Sequence, residues 1–257
     1  LIDWALTKKN NVNYDEDFIY NRNAATALST PSIRLQKALL EDGTLEQALD
    51  SFLTTERLNP LCQSPEFAGN FSRICAQFSR QNRFAFLKNP KFYKRLLKNA
   101  KLMAYQRLFI DMFSEDLDAF SGSKPAEVVE ELSKSLMSTD EELVDAIFLI
   151  IRGILNESSD DEIHYFTTNQ FLEQIIRSTQ RQNNLSLLIN MVSTILMLFQ
   201  YVDPQVQEKV LKDFKDMQFE KYCQTDIRKA YVLFPLFWRQ GIKVMTRYFF
   251  SPTDPYT

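Results

Sequence analysis

The chain has 257 residues, with 30 Lys and Arg against 33 Asp and Glu, and its net charge of −3 excludes a generally basic nucleic-acid protein and a polyacidic tail. Only 5 glycines accompany 21 phenylalanines, so few positions have the free backbone that phosphate loops, tight hairpins and bulges use. That composition points away from nucleotide-binding α/β folds and β-sandwiches, and toward helices.

The first 30 residues are polar, with clusters at Asn10-Asn11 and Asp15-Glu16-Asp17, and are expected to be partly ordered with one short helix. Ser29-Thr30-Pro31 then signals a helix start. Apolar periodicity predicts helices over 32–42, 44–54, 65–80, 90–98, 100–114, 125–137, 140–156, 168–181, 184–201, 204–217 and 225–248. Pro65, Pro90, Pro125 and Pro204 all fall where a helix begins, and Pro235 is expected to kink or split the last one. Gly43 and Gly122 fall in connections, and Asp140-Glu141-Glu142 gives one helix an acidic first turn that suits its dipole. No alternating run is long enough for a strand. The most apolar stretch, Leu185 to Phe199, is shorter than the about 20 residues of a membrane span and reads as a buried helix.

An internal repeat organises these helices. Phe92-x-x-x-Leu96-Leu97 returns as Phe171-x-x-x-Ile175-Ile176 and Val206-x-x-x-Val210-Leu211, and more weakly as Val128-x-x-x-Leu132 and Ala48-x-x-x-Phe52-Leu53. The copies start 44, 36, 43 and 35 residues apart, and a longer, more apolar helix follows each. HEAT and armadillo arrays have such periods, because a helix pair cannot bury its apolar face without a stacked neighbour. The expected fold is all-α, a right-handed α-solenoid of about five armadillo/HEAT-like repeats. It would form a single domain over 31–250, with a polar segment at 1–30 and a tail at 251–257. An irregular helical bundle is the alternative. The aromatic end, with Phe234, Phe237, Trp238, Tyr248, Phe249 and Phe250, is expected either to cap the core or to pack on a partner or a missing repeat. The absence of a starting Met suggests a piece of a longer protein.

The small net charge conceals segregation. Residues 67–110 carry 10 basic and no acidic side chains, whereas residues 111–162 carry 3 basic and 15 acidic. On a helix beginning at Pro90, Lys91, Lys94, Arg95 and Lys98 share the face opposite Phe92, Leu96 and Leu97. With Arg80, Arg83, Lys88 and Lys101 they form the candidate partner-binding surface, facing an acidic or phosphorylated protein. Two other readings stay open: a solvated face, or internal pairing with the acidic segment that follows. A phosphate- or nucleic-acid-binding role for the stripe of residues 73–107 is the functional alternative, and the nucleic-acid form lacks any accompanying motif.

Catalytic signatures are missing. The single histidine, His164, allows no His-x-x-x-His metal pair, and Asp160-Asp161-Glu162 lacks the spacing of a calcium loop. Cys62, Cys75 and Cys223 show neither metal nor disulfide spacing and suit a reducing compartment, cytoplasmic or nuclear. The expectation is a non-enzymatic protein without metal or cofactor.

Leu58-Asn59-Pro60-Leu61, Phe71-Ser72-Arg73-Ile74-Cys75, Phe92-Tyr93-Lys94-Arg95-Leu96-Leu97 and Leu108-Phe109-Ile110-Asp111-Met112-Phe113 together resemble part of a SAPS-type regulatory subunit. The resemblance covers a quarter to a third of the chain. It implies helical repeats and a role as regulatory partner of a serine/threonine phosphatase catalytic subunit, with no binding residue carried over.

Overall fold

The structure is a computed structural model that describes residues 2–6, 14–30, 32–41, 43–54, 60–79, 90–115, 125–159, 163–214 and 225–237. Among them there are helices and no strand. In chain order the helices are α1 (Ile2–Leu6), α2 (Tyr14–Leu28), α3 (Ile33–Glu41), α4 (Thr44–Thr54), α5 (Pro65–Ser79), α6 (Pro90–Lys98) and α7 (Met103–Glu115). They continue as α8 (Pro125–Ser135), α9 (Glu141–Glu157), α10 (Asn169–Arg181), α11 (Leu185–Phe199), α12 (Pro204–Phe214) and α13 (Ile227–Leu233). None of the described helices is long and apolar enough to cross a membrane.

Local chemistry accounts for the boundaries. Pro65, Pro90, Pro125 and Pro204 are each the first residue of a helix, where a missing N–H costs nothing. Asp140 caps α9 by accepting from Leu143 N at 3.2 Å, and Thr168 caps α10 by accepting from Phe171 N at 3.3 Å. Asn184 Oδ1 accepts from Ser186 N and Leu187 N at the start of α11. Gly43 precedes α4 with φ +67°, a left-handed conformation that a side chain would strain. α13 stops at Leu233 and a 3-10 turn, Phe234–Phe237, carries Pro235, as the split expected there requires.

The N-terminal stretch is more helical than its polarity suggested. α2 has only a narrow apolar strip, but Ala24, Ala25 and Leu28 on that strip are buried against α5. Asn70 of α5 donates its amide to the Ala5 carbonyl at 3.2 Å, which ties α1 down as well. Small side chains thus let these helices pack where a periodicity reading sees mainly Asn and Asp.

Two compact units divide the chain: Leu1–Ser135 with Asn156–Ser159, and Leu136–Leu155 with Asp160–Thr257. In the first, α4, α6 and α8 lie side by side in one layer, while α2, α5 and α7 follow one another in a second. The hairpins α3–α4 and α6–α7 are also in contact. In the second unit, α10 packs on α12, α11 packs on α13, and α10 and α11 form a hairpin. The helices that bear the repeated apolar motif are therefore neighbours within each unit. Phe92, Leu96, Leu97, Val128, Leu132, Phe171, Ile175 and Ile176 are all buried. The second helices are buried as well: α9 buries Val144, Ala146, Ile147, Phe148, Ile150, Ile151, Ile154 and Leu155.

An aromatic cluster centres the first unit. Phe71 of α5 stacks on Phe52 of α4 with ring centroids 5.0 Å apart, and meets Tyr105 of α7 edge-on at 6.0 Å and Phe92 of α6 at 6.4 Å. Four helices thus share one ring. Phe71→Ala should cost about 3–5 kcal/mol, the range for emptying a fully buried aromatic site. Urea unfolding should show a lower midpoint; a change under 1 kcal/mol would mean that the cluster is not the centre of this unit.

Candidate functional site

The basic segment is where the sequence located the candidate surface, and the structure resolves part of it. Arg80, Arg83 and Lys88 lie outside the described residues, and so does the side chain of Lys91. Lys94, Arg95 and Lys98 project from α6, and Lys101 follows in the turn before α7. Lys94, Lys98 and Lys101 are exposed, whereas Arg95 is half-buried.

The cations are largely engaged by carboxylates of the chain itself. Lys94 Nζ lies 3.3 Å from Glu131 of α8, and Lys134 approaches the same carboxylate at 3.9 Å while pairing with Glu130 at 2.8 Å. The hydrogen bond from Lys134 draws the Glu130 carboxyl below its usual pKa, and the same bond raises Lys134. Arg107 sits between Asp111 at 2.7 Å and Glu157 at 2.6 Å, and its hydrogen bond to Glu157 leads the causes that push its pKa up. Lys94 and Arg107 therefore pair with the acidic segment 111–162, one of the readings the sequence left open.

Arg95 is different in kind. Its Nη2 bonds Asp50 of α4 at 2.6 Å, and only 17% of its side chain is accessible. An ion pair so placed is a joint between two adjacent helices, not a solvated charge. The sequence contained a signal for it. The first two repeat copies are 44 residues apart, so Asp50 falls opposite residues 94 and 95.

The same offset recurs in polar contacts inside both units. Asn21 of α2 donates to Glu66 of α5 across 45 residues, and Tyr105 of α7 donates its hydroxyl to the Cys62 carbonyl at 2.6 Å across 43. In the second unit, Asn190 of α11 donates to Asp145 of α9 at 2.8 Å across 45 residues. The Asn184 amide reaches Glu141 across 43, and Lys229 of α13 donates to Asn183 at 2.7 Å across 46. Asn184 thus caps α11 with its oxygen and bonds Glu141 of α9 with its nitrogen.

The residues weighed for chemistry are scattered. His164 is exposed in a 3-10 turn, His164–Phe166, with Tyr165 edge-on at 6.4 Å. Cys62 and Cys75 are buried and form no disulfide, and burial raises the Cys75 thiol well above its usual pKa, so it is no ready nucleophile. Cys223, Asp160, Asp161 and Glu162 lie outside the described residues, as do Trp238, Tyr248, Phe249 and Phe250. Among the described residues, no group of three or more His, Cys, Asp or Glu is placed to hold a metal ion. Compared with protein-family models, with curated proteins and with solved structures, the chain gives no match.

Two measurements follow from this geometry. Arg95→Glu sets a carboxylate against Asp50 and should destabilise the protein by about 2 kcal/mol, less than a fully buried pair would because Asp50 is partly exposed. Adding Asp50→Lys should recover most of that loss in urea unfolding, and two effects that merely add would refute the pairing. The second concerns pH. Burial is the main cause that raises the Tyr105 pKa, so the folded state holds its proton more tightly than the unfolded state does. The stabilisation is complete below the unfolded value, about 10, and is lost as pH rises beyond it. Tyr105→Phe should cost about 1 kcal/mol at pH 8 through the lost bond to Cys62. It should also make the fall in urea midpoint from pH 8 to pH 11 shallower than in the parent; an equally steep fall would exclude Tyr105 as a source.

Proposed function

We propose that this chain is a right-handed α-solenoid of armadillo/HEAT-like repeats that works as a non-catalytic interaction scaffold. The observation that supports it best is the layering: motif-bearing helices lie side by side in each unit, with polar contacts displaced by one repeat. An array of this kind presents a long row of similar helix ends and faces, which is suited to holding another protein rather than enclosing a small substrate. The buried thiols of Cys62 and Cys75, which form no disulfide, support a reducing compartment, cytoplasmic or nuclear.

The partner we propose is a serine/threonine phosphatase catalytic subunit, on the resemblance to SAPS-type regulatory subunits. The contact surface is the exposed lysine set Lys94, Lys98 and Lys101, which would face acidic or phosphorylated chain. Arg95 belongs to the joint with Asp50 and is removed from that surface.

The test is capture of purified phosphatase catalytic subunits on the immobilised chain. The parent should retain one of them, and the variant K94A/K98E/K101E should lose it, with stability changed by less than about 1 kcal/mol since these side chains are exposed. Retention by the variant would remove the lysine surface from the account. If no catalytic subunit is retained by the parent, the phosphatase role is wrong.

A further inference from the structure

Two features that the scaffold role leaves unused meet at one place. Ser29-Thr30-Pro31 follows α2, and Arg73 opens the basic segment on α5. Around the last turn of α2, Thr26 Oγ1 donates to the Arg22 carbonyl at 2.8 Å. Ser29 Oγ and Thr30 Oγ1 both donate to the Thr26 carbonyl, at 3.2 and 2.8 Å. Arg73 Nη1 reaches across from α5 and donates to Thr26 Oγ1 at 3.1 Å, 47 residues away in the chain.

Arg73 has an unusual partner. Lys94, Arg95 and Arg107 of the same basic segment each have a carboxylate within ion-pair distance. Among the described residues, Arg73 has a neutral hydroxyl instead. The nearest acid on its own helix face, Glu66, is two turns away and receives the Asn21 amide at 3.3 Å. The guanidinium is exposed and offers a planar fork of donors of which the hydroxyl uses one.

We propose that Thr30 is a phosphorylation site and that Arg73 receives its phosphate. Thr30 is exposed just past the helix end, and Pro31 follows it, the sequence context that proline-directed serine/threonine kinases accept. In the transfer, Thr30 Oγ1 forms a bond to the γ-phosphorus of ATP and the bond from that phosphorus to the β-bridging oxygen breaks. ADP leaves, and the hydroxyl proton passes to the kinase base.

Two forces then oppose each other. The modified Thr30 no longer donates to the Thr26 carbonyl, and it carries about −1.5 to −2 charges beside a helix C-terminus, where the dipole disfavours an anion. Against this, Thr30 Oγ1 and Arg73 Nη1 are bound to two oxygens of the same residue, the Thr26 carbonyl at 2.8 Å and the Thr26 hydroxyl at 3.1 Å, so the phosphate comes within reach of the guanidinium. A charge-assisted fork onto phosphate is stronger than a screened dipole term at an exposed helix end, and Arg73 exchanges the hydroxyl for the phosphate. The modification would thereby clip the end of α2 to α5.

The experiment treats the full chain with a proline-directed serine/threonine kinase and ATP, maps the phosphate by mass spectrometry, and titrates its phosphorus resonance. Phosphate should appear at Thr30 and be absent there in Thr30→Ala. The phosphate in the parent should titrate about half a pH unit below that in Arg73→Ala, because a neighbouring cation favours the dianion. Arg73→Lys, which keeps the charge without the fork, should fall between them. Absence of phosphate at Thr30 overturns the site, and superimposable titrations in the parent and Arg73→Ala overturn Arg73 as its receptor.

Discussion

A helix with one broad apolar face cannot cover that face with a single partner, and the packing of the described helices follows from that limit. α6 is a clear case. Its charged side carries Lys94 and Lys98, while Phe92, Leu96 and Leu97 on the other side are buried among α4, α7 and α8. Each buried side chain of this size contributes about 1.5–3 kcal/mol, so loss of one neighbour would leave several such groups in water. The second helix of each pair carries the same constraint: α9 and α11 each bury a broad face, lined by residues such as Ile147, Ile151 and Ile154 in the one and Leu188, Met191 and Ile195 in the other. Stacking is thus a condition of burial, and the repeat in the sequence is its trace.

The polar groups obey the same offset. Once apolar motifs align helices about 40 residues apart, polar groups at equivalent positions are brought face to face. Asp50 meets Arg95, Glu131 meets Lys94, and Asp145 meets Asn190. These contacts add little net stability where exposed. Where they are half-buried, as at Arg95, a mismatched register would leave a charge without its counterpart, and that penalises slippage between neighbouring helices. Segregation of charge along the chain serves this arrangement, since a basic helix next to an acidic one pairs across the stack.

Most helix starts were readable to within a residue because proline, glycine and capping side chains punctuate them, and α5, α6, α8 and α12 begin on the very prolines that mark them; α7, which lacks such a mark, begins at Met103 and not at 100, and the helix expected over 225–248 breaks at Leu233. The layering within each unit was readable, through Phe92 and Val128 in the first and Phe171 in the second. The α2 helix was not, because alanines pack well but contribute almost nothing to a periodicity. The role of Arg95 was hidden for a different reason. A helix surface shows which residues share a side, but not which of them a neighbouring helix covers, and Arg95 and Lys94 differ only in that. The contact of Arg73 with Thr26 depends on how α2 lies on α5, which no local pattern encodes.

Register between helices one repeat apart is the central claim, and a double-mutant cycle on Asp145 and Asn190 tests it most directly. Asp145→Ala, Asn190→Ala and the double variant would be compared with the parent by urea unfolding. The account predicts a coupling of about 1 kcal/mol, the usual size for a side-chain hydrogen bond to a charged acceptor that is partly exposed. Strict additivity, with coupling below about 0.3 kcal/mol, would show that the two side chains do not meet and would contradict the stacking register.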